Sequence, residues 1–440
     1  MKALNGFSKE LQKEEYIGKE FQKRYKRKVT SKSSDLENHK SLLLETSRKN
    51  LELVQKTPNR AKSMKYFDGQ IESWGNSIIE KGNKKVIGYY CNFVPEELVY
   101  AADAIPVRLC SGFFESANIV EEILPRDICP LVKSCFGMEL LQMPMVKSCD
   151  VVVIPTTCDA KKKLGEILSD YTTVWILELP NSKDKPRGKD LWFSEILEFK
   201  KWVEKITGNK ITKEKLKRSI KLLYERTKAV RRLIDIRKLD PPVISERDYL
   251  IVIQTSFFVE AKEWTEHVNI LNEELEQNYK NGFSIVERRT PRILITGSPI
   301  MWPNFKLLNL IEESDMIGVM DDLCTGTQHL YDAVEMDEPS MRDMLEAIAE
   351  RYLLPSICPC FVTNDDRLDK ISQFIEDFKI DGVIYHCLRL CQLYDLESGI
   401  VEDLMENKKV PVLKIVTDYS EEDKEQLRTR IEAFREMIKV

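Results

Sequence analysis

Val86-Ile87-Gly88-Tyr89-Tyr90-Cys91, followed at once by Asn92-Phe93-Val94-Pro95-Glu96-Glu97, decides how the rest of the chain is read. A short apolar run ending in a polar turn reads as a buried strand. Asn92 suits a helix cap, Pro95 suits a first turn, and Glu96 and Glu97 complement the positive end of a helix dipole. The unit is strand, cysteine, helix start. It places a thiol at the carboxyl edge of a sheet, where open α/β sheets collect their ligands. A single cysteine there is commonly buried filler, so the other ten cysteines must decide the matter.

With 440 residues, 42% hydrophobic and 32% charged, the chain has room for two or three ordinary globular cores. No run approaches eighteen apolar residues, and Met1-Lys2-Ala3-Leu4-Asn5-Gly6 lacks the apolar centre of a secretory signal. The expectation is a cytoplasmic protein with no membrane partner. In a reducing compartment eleven cysteines are core residues or metal and redox thiolates, not a disulfide framework. A net charge of -5, with basic and acidic residues interleaved, gives no expectation of a nucleic acid partner.

The expected fold is α/β, with two Rossmann-like doubly wound domains. Residues 1–62 read as a charged, helical N-terminal extension, whose run Lys23-Arg24-Tyr25-Lys26-Arg27-Lys28 reads as a solvated helix face. Residues 63–190 form the first α/β domain: a helix over Met64 to Lys81, strands at Val86, Ile105, Asp150 and Thr173, and a polar connection over Asn181 to Asp190. Residues 191–290 read as a helical connector, with amphipathic patterns over Phe193 to Ile206, Lys213 to Leu239 and Phe257 to Tyr279. Residues 291–440 repeat the α/β pattern, with strands at Pro291, Met316, Asp381 and Val410 and helices that include Gly399 to Asn407.

In this reading Cys91, Cys129, Cys158, Cys324, Cys358 or Cys360, and Cys391 all fall at loops or helix starts beside strand ends, three from each half. Cys129 precedes Pro130 and so stands at a helix start, where dipole and free amides favour a thiolate. Cys135, further along that helix, reads as a packed thiol. Thiols gathered without histidines suit iron-sulfur clusters or zinc. For zinc the four thiols Cys358, Cys360, Cys387 and Cys391 are available, but a one-residue spacer is unusual and four other cysteines stay unexplained. His386 and Cys387 are adjacent on an extended segment and point to opposite faces, against a Cys-His nucleophile. Neither a GxxxxGK[ST] loop nor a GxGxxG fingerprint occurs, so any ATP belongs to a partner.

Four stretches carry a resemblance: Tyr90-Cys91-Asn92-Phe93-Val94-Pro95-Glu96-Glu97-Leu98, Cys129-Pro130-Leu131-Val132-Lys133-Ser134, Pro155-Thr156-Thr157-Cys158-Asp159 and Leu390-Cys391-Gln392-Leu393-Tyr394-Asp395. Together they resemble the 2-hydroxyacyl-CoA dehydratase and benzoyl-CoA reductase family. The resemblance implies a cubane on Cys91, Cys129 and Cys391, and a separate ATPase carrying its own [4Fe-4S] cluster that supplies low-potential electrons. The extra Cys158, Cys324 and Cys360, with Cys358 as the alternate to Cys360, resemble the double-cubane cluster proteins, with Cys387 a possible substitute near Cys391. That pattern implies an [8Fe-9S] cluster in each subunit of an anaerobic homodimer, and ATP-dependent reduction of small molecules such as acetylene, hydrazine and azide. The alternatives are a CoA-thioester dehydratase or reductase subunit with one [4Fe-4S] cluster, or a non-catalytic electron carrier. His386, Glu97 and Asp322 are candidate proton donors.

Overall fold

The computed structural model describes residues 33–286, 289–336 and 340–438. The basic run over residues 23–28, and with it most of the expected extension, lies outside the described residues. What is described of that extension is residues 33–62, beginning with the helix Ser33–Val54. Its Leu43, Leu51 and Val54 are buried, and its Ser47 Oγ accepts from Trp302 Nε1 at 3.1 Å, so it packs on the second half of the chain.

Two four-stranded parallel sheets organise the rest. The first holds β1 (Val86–Tyr89), β2 (Ile105–Arg108), β3 (Val151–Pro155) and β4 (Val174–Leu177) in the order β2-β1-β3-β4. The second holds β5 (Arg292–Gly297), β6 (Ile317–Asp321), β7 (Gly382–Leu388) and β8 (Val412–Thr417) in the order β6-β5-β7-β8. The same order recurs: the first strand of each sheet lies between the second and third. Sequence direction reverses at β1/β3 and β5/β7, which makes both carboxyl edges switch points of two Rossmann-like domains.

β1, β3, β5, β6 and β7 are buried at every position, which is why they read as continuous apolar runs and not as alternating ones. Burial on both faces is still periodic. Val86 and Tyr90 join one apolar core, with Val152 and Ile154, while Ile87 and Tyr89 join a second, with Val151 and Val153. The first of these cores runs on without a break into Ile293, Leu294, Ile384 and Tyr385 of the second sheet. Gly88 permits a close approach, since a Cβ there would stand 2.6 Å from Leu109 Cδ1.

The connector departs from the expected pattern in two places. Its first helix begins at Pro186, inside the stretch read as a polar connection, because proline suits a first turn and Gly188 does not stop it. Its second helix is Lys213–Arg237. The third expected stretch is the helix Ala261–Lys280, and a helix absent from the expected pattern, Glu246–Thr255, precedes it. Every residue of Glu246–Thr255 is buried, so it shows no amphipathic period, and Ser245, whose side chain caps Asp248 N, was its sequence signal. The helix expected to reach Lys81 ends at Glu72, ahead of Gly75 in a left-handed turn.

Candidate functional site

Cys91, two residues past β1, has a backbone φ of 61°, a left-handed conformation that costs a non-glycine residue energy and is found at functional sites. Its Sγ lies 3.6 Å from Thr157 Oγ1, in the loop that follows β3. Asn92 does not cap the next helix. Pro95 is the N-cap of Glu96–Ala101, and Asn92 Oδ1 is buried without a partner. Buried Glu96 instead bonds the Arg226 guanidinium of the connector and the Tyr89 hydroxyl, while Glu97 accepts from Tyr352 Oη of the second half at 2.9 Å.

Three other cysteines are helix N-caps: Cys129 of Pro130–Leu140, Cys158 of Asp159–Leu168 and Cys391 of Gln392–Lys408. The last helix starts seven residues before the expected Gly399, because that glycine is carried within it. None of the three makes an ordinary side-chain capping bond, yet amides of the first turn (Leu131 and Val132, Lys161, Tyr394) favour the charged sulfur of each. Leu390, just before Cys391, has φ 63°, as Cys91 does. Cys324 follows β6; Arg108 donates from Nη1 to its carbonyl at 2.7 Å and lies 3.7 Å from its Sγ through Nη2. Cys358 and Cys360 sit on the loop before helix Asp365–Asp377, which Lys183 ties down through Ser356 O and the Asp366 carboxylate.

Electrostatic contacts link these thiols from both halves: Cys91 with Cys324, Cys324 with Cys358, Cys358 with Cys158, and Cys158 with Cys391. Cys391 and Cys129 act on each other: the contact holds Cys391 below its ordinary range and pushes Cys129 well above it, and the two titrate as a pair. Burial pushes Cys91 and Cys324 up to about 12. Cys358 is raised by its hydrogen bond with Cys360, then by burial. Among the described residues no three Cys, His, Asp or Glu side chains converge as around one metal ion. The four-thiol zinc set is accordingly not assembled: Cys387 is buried in β7 with Sγ 3.5 Å from Leu388 O. A cubane asks for a different layout, because each of its irons occupies a separate corner and takes its own cysteine.

Two buried cations, unread in the sequence, face the thiols. Arg108 is fully buried, stacked 4.6 Å from the Phe257 ring centre, with Nε unpartnered. Lys161 is 3% exposed, its Nζ 3.6 Å from Cys135 Sγ and 4.4 Å from the Tyr90 ring centre. No carboxylate pairs with either among the described residues; Cys135, Cys91, Cys110 and Cys158 keep Lys161 raised against burial. Cys110 and Cys135, beside them, share a hydrogen bond. A charged residue within Ile105–Cys110 was a signal for Arg108, whereas Lys161 is hidden in Lys161-Lys162-Lys163, which reads as solvated surface.

Of the candidate proton donors, His386 donates or accepts through Nδ1 at 2.7 Å from Ser298 O and is lowered to about 4 by burial. Glu97 is raised by burial, and Asp322 is paired with Arg367 at 2.8 Å and bonded to Thr296.

A family model described as 2-hydroxyglutaryl-CoA dehydratase, D-component, matches residues 91–438, which hold all of these cysteines. The chain belongs to this family. Within the D-component family it is 35% identical over 356 residues to the putative dehydratase subunit YjiM of Escherichia coli, covering 80% of this chain and 91% of that one. It is 24% identical over 366 residues to the (R)-phenyllactyl-CoA dehydratase beta subunit of Clostridium sporogenes, covering 82% and 93%. A benzoyl-CoA reductase subunit of Thauera aromatica is 23% identical over 367 residues, covering 81% and 92%. The named relatives of this D-component protein are thus subunits of dehydratases and of a reductase. No helix among the described residues is long and apolar enough to cross a membrane.

Proposed function

We propose that the protein is a cytoplasmic iron-sulfur reductase of anaerobic metabolism, holding a double-cubane [8Fe-9S] cluster on Cys91, Cys129, Cys158, Cys324, Cys358 and Cys391. It works as a homodimer, takes low-potential electrons from an ATP-hydrolysing partner with a [4Fe-4S] cluster, and reduces small molecules of the acetylene, hydrazine and azide type. Cys358 is preferred to Cys360 because it neighbours both Cys324 and Cys158. The observation that carries the reading is the pair of buried cations, Arg108 and Lys161, without carboxylates among the described residues. Burying such a charge costs several kcal/mol unless it is paired, and thiolates on an anionic cluster are the partner available. The donor set also fits, being six soft sulfurs with no histidine.

Held there, the cluster would supply one-electron chemistry at low potential. The chain's own residues do the rest. Amides at the starts of Pro130–Leu140, Asp159–Leu168 and Gln392–Lys408 stabilise charged sulfur. Arg108 and Lys161 hold fixed positive charge beside it. Phe93, edge-on to Phe361 at 5.9 Å, excludes water from the apolar wall between the halves.

Anaerobic reconstitution followed by iron and acid-labile sulfide assay tests this. About eight irons per chain are expected, Cys324→Ser and Cys358→Ser each losing part of them and Cys360→Ser losing none; iron-free protein sinks the proposal. A second reading, a CoA-thioester dehydratase or reductase subunit with one [4Fe-4S] on Cys91, Cys129 and Cys391, draws support from the names of the relatives and from the contact between Cys129 and Cys391. It expects about four irons, unaffected by Cys324→Ser.

A further inference from the structure

A cavity of about 740 Å³ among the described residues lies at the amino-terminal edge of the second sheet, opposite the edge that carries the cysteines. Two other cavities measure about 20 and about 10 Å³, whereas small-molecule sites commonly span about 300–1,000 Å³. The cavity is walled by the end of the first helix, the close of the connector, the stretch entering β6 and the C-terminal helix.

Its charges do not balance. Arg247 pairs with Glu312, and Glu313 pairs with Arg428 at 2.8 Å. The lining side chains carry four positive charges against three negative, and among the described residues Lys56, Arg289 and Arg435 make no ion pair. Unsatisfied polar atoms also gather here. Arg247 Nε, Arg435 Nε and Glu312 Oε1 are buried without a hydrogen-bond partner, and Arg247 as a whole is 8% exposed. Buried polar groups of native proteins nearly always have partners, so three orphans at one cavity call for a ligand. Leu53, Ile285 and Met316 give it an apolar side.

We propose that this cleft binds a phosphomonoester of nucleotide size, with the phosphate on Lys56, Arg289 and Arg435 and the organic part against Leu53, Ile285 and Met316. A phosphomonoester carries roughly −1.5 to −2 charge at neutral pH, which the three cations without an ion pair can meet, and guanidinium forks suit phosphate oxygens better than point charges do. The unpartnered Glu312 oxygen is an acceptor for a hydroxyl or amino group on the organic part. The proposal is independent of the cysteine site, which lies at the other edge of the sheet.

Isothermal titration of the full chain with AMP and ribose 5-phosphate tests it, with adenosine and citrate as the organic-part and carboxylate controls. Saturable binding of AMP or ribose 5-phosphate is expected, at least tenfold tighter than adenosine or citrate. A combined Arg289→Glu and Arg435→Glu variant should bind at least tenfold more weakly while melting as the parent does without ligand. No saturable binding of either phosphate at millimolar concentration overturns the proposal. So does binding that the variant retains, or citrate binding as tightly as AMP.

Discussion

Replacing Arg226 with Met removes one side of a buried ion pair at the helix that follows Cys91. Arg226 and Glu96 are 5% and 3% exposed, and the Arg226 guanidinium is the cation bonded to that carboxylate. Afterwards Glu96 keeps only the Tyr89 hydroxyl as a side-chain hydrogen bond, with His329 Nε2 3.7 Å away. Burial holds His329 well below its ordinary range, so it stays neutral and supplies no charge. Leaving one buried charge uncompensated costs about 3–5 kcal/mol, much more than an exposed pair is worth. At about 2.1 cal/mol/K of unfolding entropy per residue, a chain this long loses roughly 1 °C of melting temperature per kcal/mol, or about 3–5 °C. Glu96→Gln on top of Arg226→Met removes the stranded charge and keeps an acceptor for Tyr89, so the double variant should recover to within about 1–2 kcal/mol of the parent. Urea unfolding of the four proteins in the cycle measures this. A loss under about 1 kcal/mol for Arg226→Met, or simple additivity in the double variant, would refute the reasoning.

Gly297 has φ 112°, and a Cβ there would stand 2.1 Å from His386 O, so Gly297→Ala should cost at least about 1–3 kcal/mol by urea unfolding. Two buried groups give opposite pH slopes. His386, lowered to about 4, contributes stability that is present above its unfolded pKa near 6.5 and lost as pH falls through about 4. Glu312, raised to about 7 by burial, contributes stability that is present below its unfolded 4.5 and lost as pH rises through about 7. Each amounts to about 3 kcal/mol, over windows that overlap between roughly pH 4.5 and 6.5. Measured against the parent, the stability of His386→Gln should fall with rising pH and that of Glu312→Gln should climb; difference profiles of the same sign would contradict the assignments. Lys161→Met should stabilise the iron-free protein, by removing an unpaired buried charge, and should make the reconstituted protein lose iron faster. Equal effects on both forms, by melting and iron release, would break the link between Lys161 and the cluster.

The alternation of strand and helix was legible because the strands are buried on both faces and bounded by turns, and the positions of Cys91, Cys129, Cys158, Cys324 and Cys391 followed from it. Helix Glu246–Thr255 was not, since burial all round erases the period that marks a helix. Asn92 misled because its type suits a cap while the chain turns earlier, at Cys91. That turn also depends on β3, whose following loop supplies Thr157, a contact 66 residues away that local propensity does not encode. Arg108 and Lys161 needed tertiary information of the same kind: only the folded chain distinguishes Lys161 from Lys162, which is exposed.

The three cysteines at helix starts have a kinetic consequence. Their sulfurs stand beside first-turn peptide amides, those of Leu131 and Val132, Lys161 and Tyr394, held in place by the helices they begin. When charge arrives at such a site, the surrounding dipoles already point the right way and little has to turn. Were the proposed cluster held on them, electron entry would carry a small reorganisation energy, and its rate would be governed by the distance to the donor and the driving force more than by motion of the protein.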